Sequence, residues 1–444
     1  MTAHPTFKFI DLFAGIGGFA AALEALGGDS VYSVEIDPAA AAIYELNWGH
    51  SPLGDITKDA NESVMNVPSH DVLAAGFPCQ PFSKSGAQKG MEETRGTLYW
   101  NILQIIQKHH PSVVLLENVR NLAGPRHFHE WEVIIRTLRE EGYRVSSTPA
   151  IFSPHLLPKS LGGRPQIRER VFITATYNPT GNNLEDDPHP VVSIKDRVNG
   201  WEPQDWDLQR DLPLEVGDIP GTGLSEIETY WIDAWNEWVE LYWQLEGHQP
   251  PGFPIWIDAW VESKNLVIPF GTPAWKSNFL IKNAELYSAH KNEFDNWLKK
   301  WSVKTDKFPP SRRKLEWQAQ DAKSLWETIM HFRPSGIRAK KPTYVPALVA
   351  ITQTSIIGPL RRRLSTREGA RLQGLPEWFD FGQQRDSATY KQLGNGVNVG
   401  VVWHVLKQHV MRDVEILKTS LRGQAIIDAV TQAPSSPDEA LKGN

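Results

Sequence analysis

The stretch KFIDLFAGIGGFAAALEALGG, residues 8–28, decides the fold of the N-terminal half. Its start, Lys8 to Phe13, has the composition of a short buried strand, and a glycine-rich turn follows at residues 14–18. The alanine- and leucine-rich segment Phe19 to Leu26 favours a helix that ends at Gly27-Gly28. This order predicts a ligand pocket, because glycines let the backbone approach a ligand and a helix start offers free N–H groups. A plain tight turn in an α/β protein is the alternative.

The segments that follow predict further strands and helices in alternation. Strands are predicted at Val31–Ile36, Asp71–Ala75, Val113–Glu117 and Val171–Thr176, and helices at Ala39–Asn47 and Leu98–His109. Elements of these lengths in alternation favour a mostly parallel sheet that is covered by helices on both faces. We therefore expect an α/β fold.

Composition excludes several classes of protein. Among the 444 residues, 41% are hydrophobic and 22% charged, which excludes a wholly disordered chain. The single cysteine, Cys79, excludes an internal disulfide framework and a multi-cysteine metal site. No apolar run approaches the roughly 20 residues of a membrane span, and the start lacks the apolar core of a signal peptide. We expect a cytoplasmic protein that binds no membrane.

Charge is distributed unevenly along the chain. The net charge is −6, yet residues 181–247 carry 16 acidic against 3 basic side chains, while residues 299–341 carry 12 basic against 4 acidic. Local sign decides electrostatic steering better than the total charge does. The second half is therefore expected to present a basic face, although scattered ion pairs would explain the same counts.

Residues 177–341 lack the rhythm of strands and helices and hold 13 of the 18 tryptophans. They are interpreted as a second domain or a large insertion. Trp231, Trp235 and Trp238 follow helical spacing, which predicts that they pack in a core. The periodic pattern returns near Tyr344.

The C-terminal part contains a turn and a helix. The turn lies at residues 394–396, and the helix is predicted at Val397–His409. The end of the chain after Ala433 is polar and is expected to be frayed.

Cys79 lies in the loop GFPCQP, residues 76–81, directly after a predicted strand. Ligand crevices of α/β sheets lie at the carboxyl ends of strands, where a nucleophile is useful. Free cysteine is more often a small buried hydrophobe, but prolines on both sides indicate a shaped loop instead. The polar, glycine-containing segment Ser83–Gly96 is expected to move as a lid.

Charged and polar side chains stand at the ends of other predicted strands. Glu35 ends the second strand, where a carboxylate can accept two ribose hydroxyls. Glu117 ends an almost wholly apolar strand, and its burial would raise its pKa, which suits proton donation. A solvated strand end is the alternative for Glu117. Alternation places Gln166, Arg168 and Arg170 on one side of the chain.

The chain resembles the DNA cytosine-5 methyltransferases of bacterial type II restriction–modification systems. The matching motifs occur in the family's order: DLFAGIGGF (11–19), Glu35, GDI (54–56), GFPCQPFS (76–83), RGTLYW (95–100), ENV (117–119), QIRER (166–170), RLSTREGARLQGLP (363–376) and LGNGVNV (393–399). They cover most of residues 7–176 and 343–407. Residues 153–163 are longer and richer in proline than the family pattern.

The resemblance implies methylation of carbon 5 of a cytosine that is flipped out of a specific double-stranded DNA sequence. S-adenosyl-L-methionine would be the cofactor, without a metal. Cys79 would add to carbon 6 of the base, which activates carbon 5. Glu117 would contact the edge of ring nitrogen 3, while Arg168 and Arg170 would hold the cytosine oxygen and the geometry around the thiol.

The resemblance also implies a cofactor site in a Rossmann-like methyltransferase sheet. The matching residues are Phe13, Ala14, Gly15, Gly17, Glu35, Ile36, Asp55, Ile56, Gly76, Pro78, Leu98, Asn395 and Val397. Glu35 would bind the ribose, Asp55 the adenine amino group, and Phe13 would pack on the adenine.

The implied domain organisation is discontinuous. The expected parts are a catalytic, cofactor-binding domain (1–176), a smaller target-recognition region (177–343), a bridging segment (344–388), a segment that completes the catalytic domain (389–412) and a partly disordered tail (413–444).

Double-stranded DNA is the expected partner, and a monomer suffices for the reaction. The candidate DNA-binding residues are Ser85, Arg312, Arg313, Lys314, Arg338 and Lys340. Most of them would contact phosphates, which fix register without reading sequence. The family implies a cognate restriction endonuclease that shares the DNA site without binding the enzyme.

Three alternatives stay open at the level of sequence. A relative of the family methylates transfer RNA with the same cysteine motif, but the long tryptophan-rich region favours DNA. A catalytically silent DNA-binding regulator is disfavoured because Cys79, Glu117, Arg168 and Arg170 occur together. A nicotinamide oxidoreductase would explain the glycine turn alone.

Overall fold

The computed structural model describes residues 6–78, 96–348 and 354–443, and its largest element is a seven-stranded sheet. The strands in chain order are β1 (Phe7–Leu12), β2 (Gly28–Val34), β3 (Val72–Ala75), β4 (Val113–Val119), β5 (Tyr143–Val145), β6 (Ala150–Phe152), β7 (Gln166–Ile167), β8 (Arg170–Tyr177), β9 (Ile255–Trp256), β10 (Lys314–Gln318), β11 (Ile329–Arg333), β12 (Gly336–Lys340), β13 (Val345–Pro346), β14 (Ile356–Ile357) and β15 (Arg362–Arg363). The large sheet has the order β2-β1-β3-β4-β8-β5, with β6 paired to β8.

Strands β1 to β4 pair in parallel, whereas β8 runs antiparallel to β4, β5 and β6. The expected strand Val171–Thr176 lies inside β8. The structure thus confirms an α/β fold with a mostly parallel sheet. The parallel arrangement brings the carboxyl ends of β1, β2, β3 and β4 to one edge.

Helices cover both faces of this sheet. The helices are α1 (Gly18–Ala25), α2 (Pro38–Trp48), α3 (Ile56–Asp59), α4 (Leu98–His109), α5 (Phe128–Glu140), α6 (Leu208–Asp211), α7 (Glu226–Glu246), α8 (Ala274–Ala289), α9 (Lys291–Lys300), α10 (Thr366–Gln373), α11 (Asp386–Asn395), α12 (Val399–Arg412), α13 (Val414–Leu417), α14 (Leu421–Gln432) and α15 (Pro437–Ala440). Successive residues of β1 point to opposite faces: Phe9 packs in the core with α1 and α12, and Ile10 packs in the core with α4 and α5.

No helix among the described residues is long and apolar enough to cross a membrane.

The tryptophan-rich region has a sheet and a core of its own. Six strands pair in the order β15-β14-β11-β12-β10-β9, next to helices α7, α8 and α9. Trp235 and Trp238 on α7 are fully buried, which confirms the prediction from their spacing. Trp231 is half-buried, and its indole N–H donates to the carbonyl of Lys307 at 2.6 Å.

The prediction that the chain frays after Ala433 is wrong. Helix α15 follows, and Leu441 packs into the core beside α1 and α12. The Asp438 carboxylate accepts a hydrogen bond from Arg164 at 2.5 Å. The proline-rich loop 153–163 is part of this contact, since a Cβ on Gly162 would lie 2.8 Å from the Pro437 ring. The sequence after Ala433 is mostly polar, and only a few apolar side chains pack it against the core. Its composition therefore does not indicate this contact.

A buried network fastens α12 to the sheet. The hydroxyl of Thr176 on β8 donates to Asp413 at 2.6 Å, so it accepts from Nε2 of His409 at 2.9 Å. Nδ1 of His409 then accepts from Arg412 at 3.3 Å, which requires a neutral imidazole. Burial lowers the pKa of His409 to about 3, although Asp413 opposes this effect.

Acid is expected to weaken this network. The folded protein resists protonation of His409, whereas the unfolded chain binds the proton with a pKa of about 6.5. The contribution of His409 to stability is therefore complete above pH 6.5 and is lost as the pH falls toward 3. Between pH 7 and pH 5 the wild-type protein is expected to lose unfolding free energy through His409. We expect the His409→Gln variant to lose about 2 kcal/mol less than wild type over the same interval.

Urea unfolding at both pH values measures this difference. His248→Gln, at an exposed position, is the matched control and should keep the wild-type pH dependence. Equal pH dependence of wild type and His409→Gln would contradict the neutral-imidazole network.

Candidate functional site

A cavity of about 540 Å³ opens at the carboxyl ends of β1 to β4. Twelve of the thirteen residues expected at the cofactor line it: Phe13, Ala14, Gly15, Glu35, Ile36, Asp55, Ile56, Gly76, Pro78, Leu98, Asn395 and Val397. Residues from the N-terminal and C-terminal parts of the chain thus line the same cavity. The C-terminal end of α11 and Gly396 reach the cavity because α12 packs against α1. The turn predicted at residues 394–396 is therefore the end of a helix.

Gly17 is the exception, because it does not line the cavity. It has φ +92°, and a Cβ there would lie 1.9 Å from Nε1 of Trp48. The indole N–H of Trp48 donates to the carbonyl of Ile16 at 3.1 Å. Gly17 therefore lets Trp48 pack against the turn, and its role is structural.

Backbone N–H groups hold the Glu35 carboxylate in place. Oε2 accepts from the N–H of Gly15 at 2.8 Å, and Oε1 accepts from the N–H of Asp37 at 2.7 Å. Gly15 has φ +56°, and no atom lies within 4 Å of its would-be Cβ. The carboxylate therefore stands fixed beside open backbone, an arrangement that suits a ligand with hydroxyl groups.

Asp55 occupies the N-cap position of α3. Its Oδ1 accepts from the hydroxyl of Thr57 at 2.7 Å and from the N–H of Thr57 at 3.0 Å. These hydrogen bonds, that of the hydroxyl first, lower the pKa of Asp55. The cavity thus has a second charged acceptor opposite the backbone of the glycine turn.

The cavity also offers apolar surface. Ile36 is a large hydrophobic residue that lines the cavity, and it is 69% exposed. Phe13 has φ +60°, which is uncommon for a residue other than glycine. A ligand with a flat apolar ring and a polar sugar would cover this surface and meet both carboxylates. These residues fit an adenosyl group.

Glu117 is buried at the end of β4, so the alternative of a solvated strand end is wrong. Its Oε1 lies 2.9 Å from Nε of Arg170. Burial raises the pKa of Glu117, and the charges of Arg170 and Arg168 only partly oppose this effect. The carboxyl group consequently holds a proton more readily than an exposed glutamate does.

Arg168 does not line the cavity, contrary to the expectation that it contacts the substrate base. Its guanidinium donates to the carbonyls of Gly394 at 2.8 Å and Gly396 at 2.6 Å, and to that of Leu348 at 3.1 Å. Burial lowers its pKa to about 9, so it remains charged at neutral pH. Arg168 is a positioning residue, because Nη1 and Nη2 of its guanidinium donate to backbone carbonyls.

Cys79 and Ser85 lie outside the described residues, as does the expected lid up to Arg95. The cavity wall nevertheless runs up to Pro78, the residue before the cysteine. The amide of Asn118 donates to the carbonyl of Phe77 at 2.8 Å, which ties this approach to the end of β4.

A second cavity, the cleft, has a volume of about 990 Å³ and lies between the catalytic sheet and strands β11 and β12. Arg120 and Glu169 line one wall, and His331, Arg333 and Arg338 line the other. Arg170 and Val119 line both cavities, so the cleft and the first cavity share a boundary.

Two of the five candidate DNA-binding residues between positions 312 and 340 line the cleft, namely Arg338 and Lys340. Arg312 is buried, and its guanidinium lies 4.4 Å from the centre of the Phe332 ring. Its use as a surface contact to phosphate is contradicted by this burial. It serves the core of the recognition region instead.

Arg313 and Lys314 also lie outside the cleft lining. Arg313 donates to the carbonyl of Phe308 at 2.8 Å, and the ammonium of Lys314 lies 4.8 Å from the centre of the Trp256 ring. Local contacts thus engage both side chains. A run of basic letters in a sequence does not reveal which side of a sheet each residue faces.

The structure adds cavity residues that the sequence did not single out. The ammonium of Lys391 on α11 lies 3.1 Å from Oδ2 of Asp37, at the start of α2. Both residues line the first cavity together with Gln392. Asp37 carries a local signal, since it precedes a proline as an N-cap does, but nothing near Lys391 indicates its role.

The chain is similar to known proteins over most of its length. The family model described as C-5 cytosine-specific DNA methylase matches residues 7–411. The type II methyltransferase M.AluI of Cellulosimicrobium cellulans is 51% identical over 96% of both chains. M.HhaI of Haemophilus parahaemolyticus is 45% identical over 38% of this chain and 49% of its own length.

Among solved structures, a putative DNA modification methyltransferase encoded within an E. coli prophage aligns with 17% identity and a TM-score of 0.48. The alignment covers 92% of this chain and 99% of that one.

Replacing Arg168 by lysine is expected to destabilise the protein. A lysine ammonium cannot span three carbonyl groups as a guanidinium fork does, so buried acceptors lose their donors. We expect Arg168→Lys to lower the free energy of unfolding by about 2 kcal/mol. Urea unfolding measures it, with the exposed Arg197→Lys as a control. A stability equal to wild type would show that the carbonyl contacts are unimportant.

Proposed function

The chain belongs to the C-5 cytosine-specific DNA methylase family, and on that premise we propose that its two cavities hold the cofactor and the DNA. The protein is a DNA (cytosine-5-)-methyltransferase that acts within a specific sequence. The observation that carries the proposal is the ion pair of buried Glu117 with half-buried Arg170 at the boundary between the two cavities.

The first cavity binds S-adenosyl-L-methionine in this proposal. When bound, this cofactor supplies an electrophilic methyl group. Glu35 would accept hydrogen bonds from the ribose hydroxyls, because its carboxylate is fixed by two backbone N–H groups. Asp55 would accept a hydrogen bond from the adenine amino group, and Phe13 and Ile36 would cover the ring, since all three residues line the cavity. Asn395 closes the cavity from the C-terminal side.

Catalysis on the base requires a nucleophile and a proton. The thiolate of Cys79 adds to carbon 6 of cytosine, and the electron pair of the ring double bond becomes available at carbon 5. Glu117, with its raised pKa, holds the proton at ring nitrogen 3, and Arg170 hydrogen-bonds the cytosine oxygen. Once carbon 5 has taken up the methyl group, water would accept the proton of carbon 5. The electron pair of that carbon–hydrogen bond would re-form the ring double bond, and the thiolate of Cys79 would leave carbon 6 with the electrons of the carbon–sulfur bond.

The cleft binds double-stranded DNA. A base inside a duplex is out of reach, so the target cytosine leaves the helix at a cost of a few kcal/mol. Because Arg170 lines both cavities, the base has a short path from the cleft to Glu117. Arg338 and Lys340 supply positive charge on the opposite wall.

In this proposal, residues 1–176 and 389–412 carry the chemistry and residues 177–343 recognise DNA. Residues 344–388 link these parts and also add β14 and β15 to the sheet of the recognition region. In the cell, the enzyme acts as a cytoplasmic monomer. It protects DNA from a cognate endonuclease that reads the same site without binding the enzyme.

Replacing Cys79 by serine is expected to abolish methylation and to leave DNA binding intact. A hydroxyl is a far weaker nucleophile than a thiolate, so turnover should fall by about 10³-fold or more. Bisulfite sequencing of DNA from cells that express each protein measures the effect and reports the methylated sequence. Gel-shift assays with the purified proteins serve as the control for binding.

Methylation near the wild-type level by Cys79→Ser would refute the covalent mechanism. If the wild-type protein modified transfer RNA and no DNA, the acceptor proposed here would be wrong.

A further inference from the structure

One carboxylate orients two arginines on the wall of the cleft. Glu316 on β10 accepts from Nη2 of Arg333 at 2.6 Å through Oε1, and from Nε of Arg338 at 2.8 Å through Oε2. Both arginines line the cleft, whereas Glu316 lies behind them. We propose that Arg338, positioned by Glu316, reads a guanine of the recognised DNA sequence in the major groove. This inference rests on the proposed function of the cleft.

The strand register puts these side chains in one row. Glu316 of β10 pairs with Arg338 of β12, and Arg338 pairs with His331 of β11. Residues that pair directly across strands project from the same face of a sheet. Arg338 and His331 of this row line the cleft, and the position of the row depends on sheet backbone rather than on a loop. Rigid elements hold recognition groups more accurately than loops do.

The guanidinium of Arg338 keeps a free edge. Nε and Nη2 both contact Oε2 of Glu316, at 2.8 Å and 2.7 Å. No acceptor among the described residues hydrogen-bonds to Nη1. The edge formed by Nη1 and the second N–H of Nη2 therefore offers two parallel donors. Guanine presents two matching acceptors, O6 and N7, in the major groove, and this bidentate contact discriminates it from other bases.

Arg333 is less suited to this contact. Its Nη2 donates to Glu316 at 2.6 Å and to the hydroxyl of Ser335 at 2.9 Å, so both N–H groups of that nitrogen are occupied. Its role is electrostatic: the two arginines and one glutamate leave one net positive charge on the wall of the cleft. Lys340 lies at the same wall and adds to this charge.

A phosphate contact is the competing explanation for Arg338. Phosphate-binding arginines work as mobile point contacts and weaken binding to all sequences equally when removed. The side chain of Arg338 is only 34% exposed and its direction is set by Glu316. A fixed direction loses little side-chain entropy on binding and restricts the contact to one base position.

The first test modifies the DNA and leaves the protein intact. After bisulfite sequencing has given the recognised sequence, each guanine is replaced in turn by 7-deazaguanine, which lacks the N7 acceptor. We expect kcat/KM of the wild-type enzyme to fall about 10-fold or more at one guanine, the range of a lost bidentate contact. Insensitivity at every guanine would overturn the proposal.

The second test asks whether Arg338 and Glu316 are the residues that recognise the sensitive guanine. Arg338→Gln should accept other bases at this guanine and should no longer respond to 7-deazaguanine there. Glu316→Gln, which keeps the size of the side chain, should reduce discrimination at the same position and leave the other positions unchanged. Arg197→Gln is the matched control, since Arg197 pairs with Glu202 outside both cavities.

The outcomes separate this inference from the function on which it rests. An equal loss of activity on all sequences by Arg338→Gln would identify a phosphate contact and overturn the proposal. If Arg338→Gln failed to unfold cooperatively, Arg338→Lys and the 7-deazaguanine series would decide. A wild-type protein that methylated no DNA would refute the proposed function itself.

Discussion

The contact on which this architecture depends is a buried guanidinium that holds two distant pieces of backbone through three carbonyl groups. Arg168 donates to the carbonyls of Leu348, Gly394 and Gly396, which lie 180 to 228 residues further along the chain. Burying a charge is costly unless it is hydrogen-bonded, and here backbone carbonyls accept from both terminal nitrogens of the guanidinium, Nη1 and Nη2. The same contact fixes the turn that closes the first cavity and the segment that leaves the recognition region.

Two carboxylates line the first cavity because two parallel strands end at it. Glu35 and Glu117 both stand at carboxyl ends of parallel strands, but their surroundings differ. Backbone N–H groups hold Glu35 as an acceptor at a partly open wall. Glu117 is buried beside half-buried Arg170, and burial raises the pKa of Glu117. Two carboxylates on one edge of a sheet therefore have separate roles, one for binding and one for holding a proton.

In the second half of the chain, the sheet places some basic residues in local contacts and others at the cleft. Arg312, Arg313 and Lys314 form the densest basic run, yet local contacts with aromatic rings and carbonyls engage all three. Arg338, which is more isolated in the sequence, lines the cleft with its direction set by Glu316. Charge density along the sequence therefore indicates that a basic region exists, whereas strand register decides which side chains face a partner.

The amino-acid sequence by itself determined the α/β class, the helix Leu98–His109, and twelve of the residues that line the first cavity. The fold class and the helix depend on the apolar pattern of short segments, whereas the cavity residues are what the resemblance to the methyltransferase family implied. Only the tertiary structure decided that Gly17 accommodates Trp48, that Arg168 binds backbone rather than a base, and that the C-terminal end docks. Each of these depends on partners more than 30 residues away, and no local pattern records such a distance.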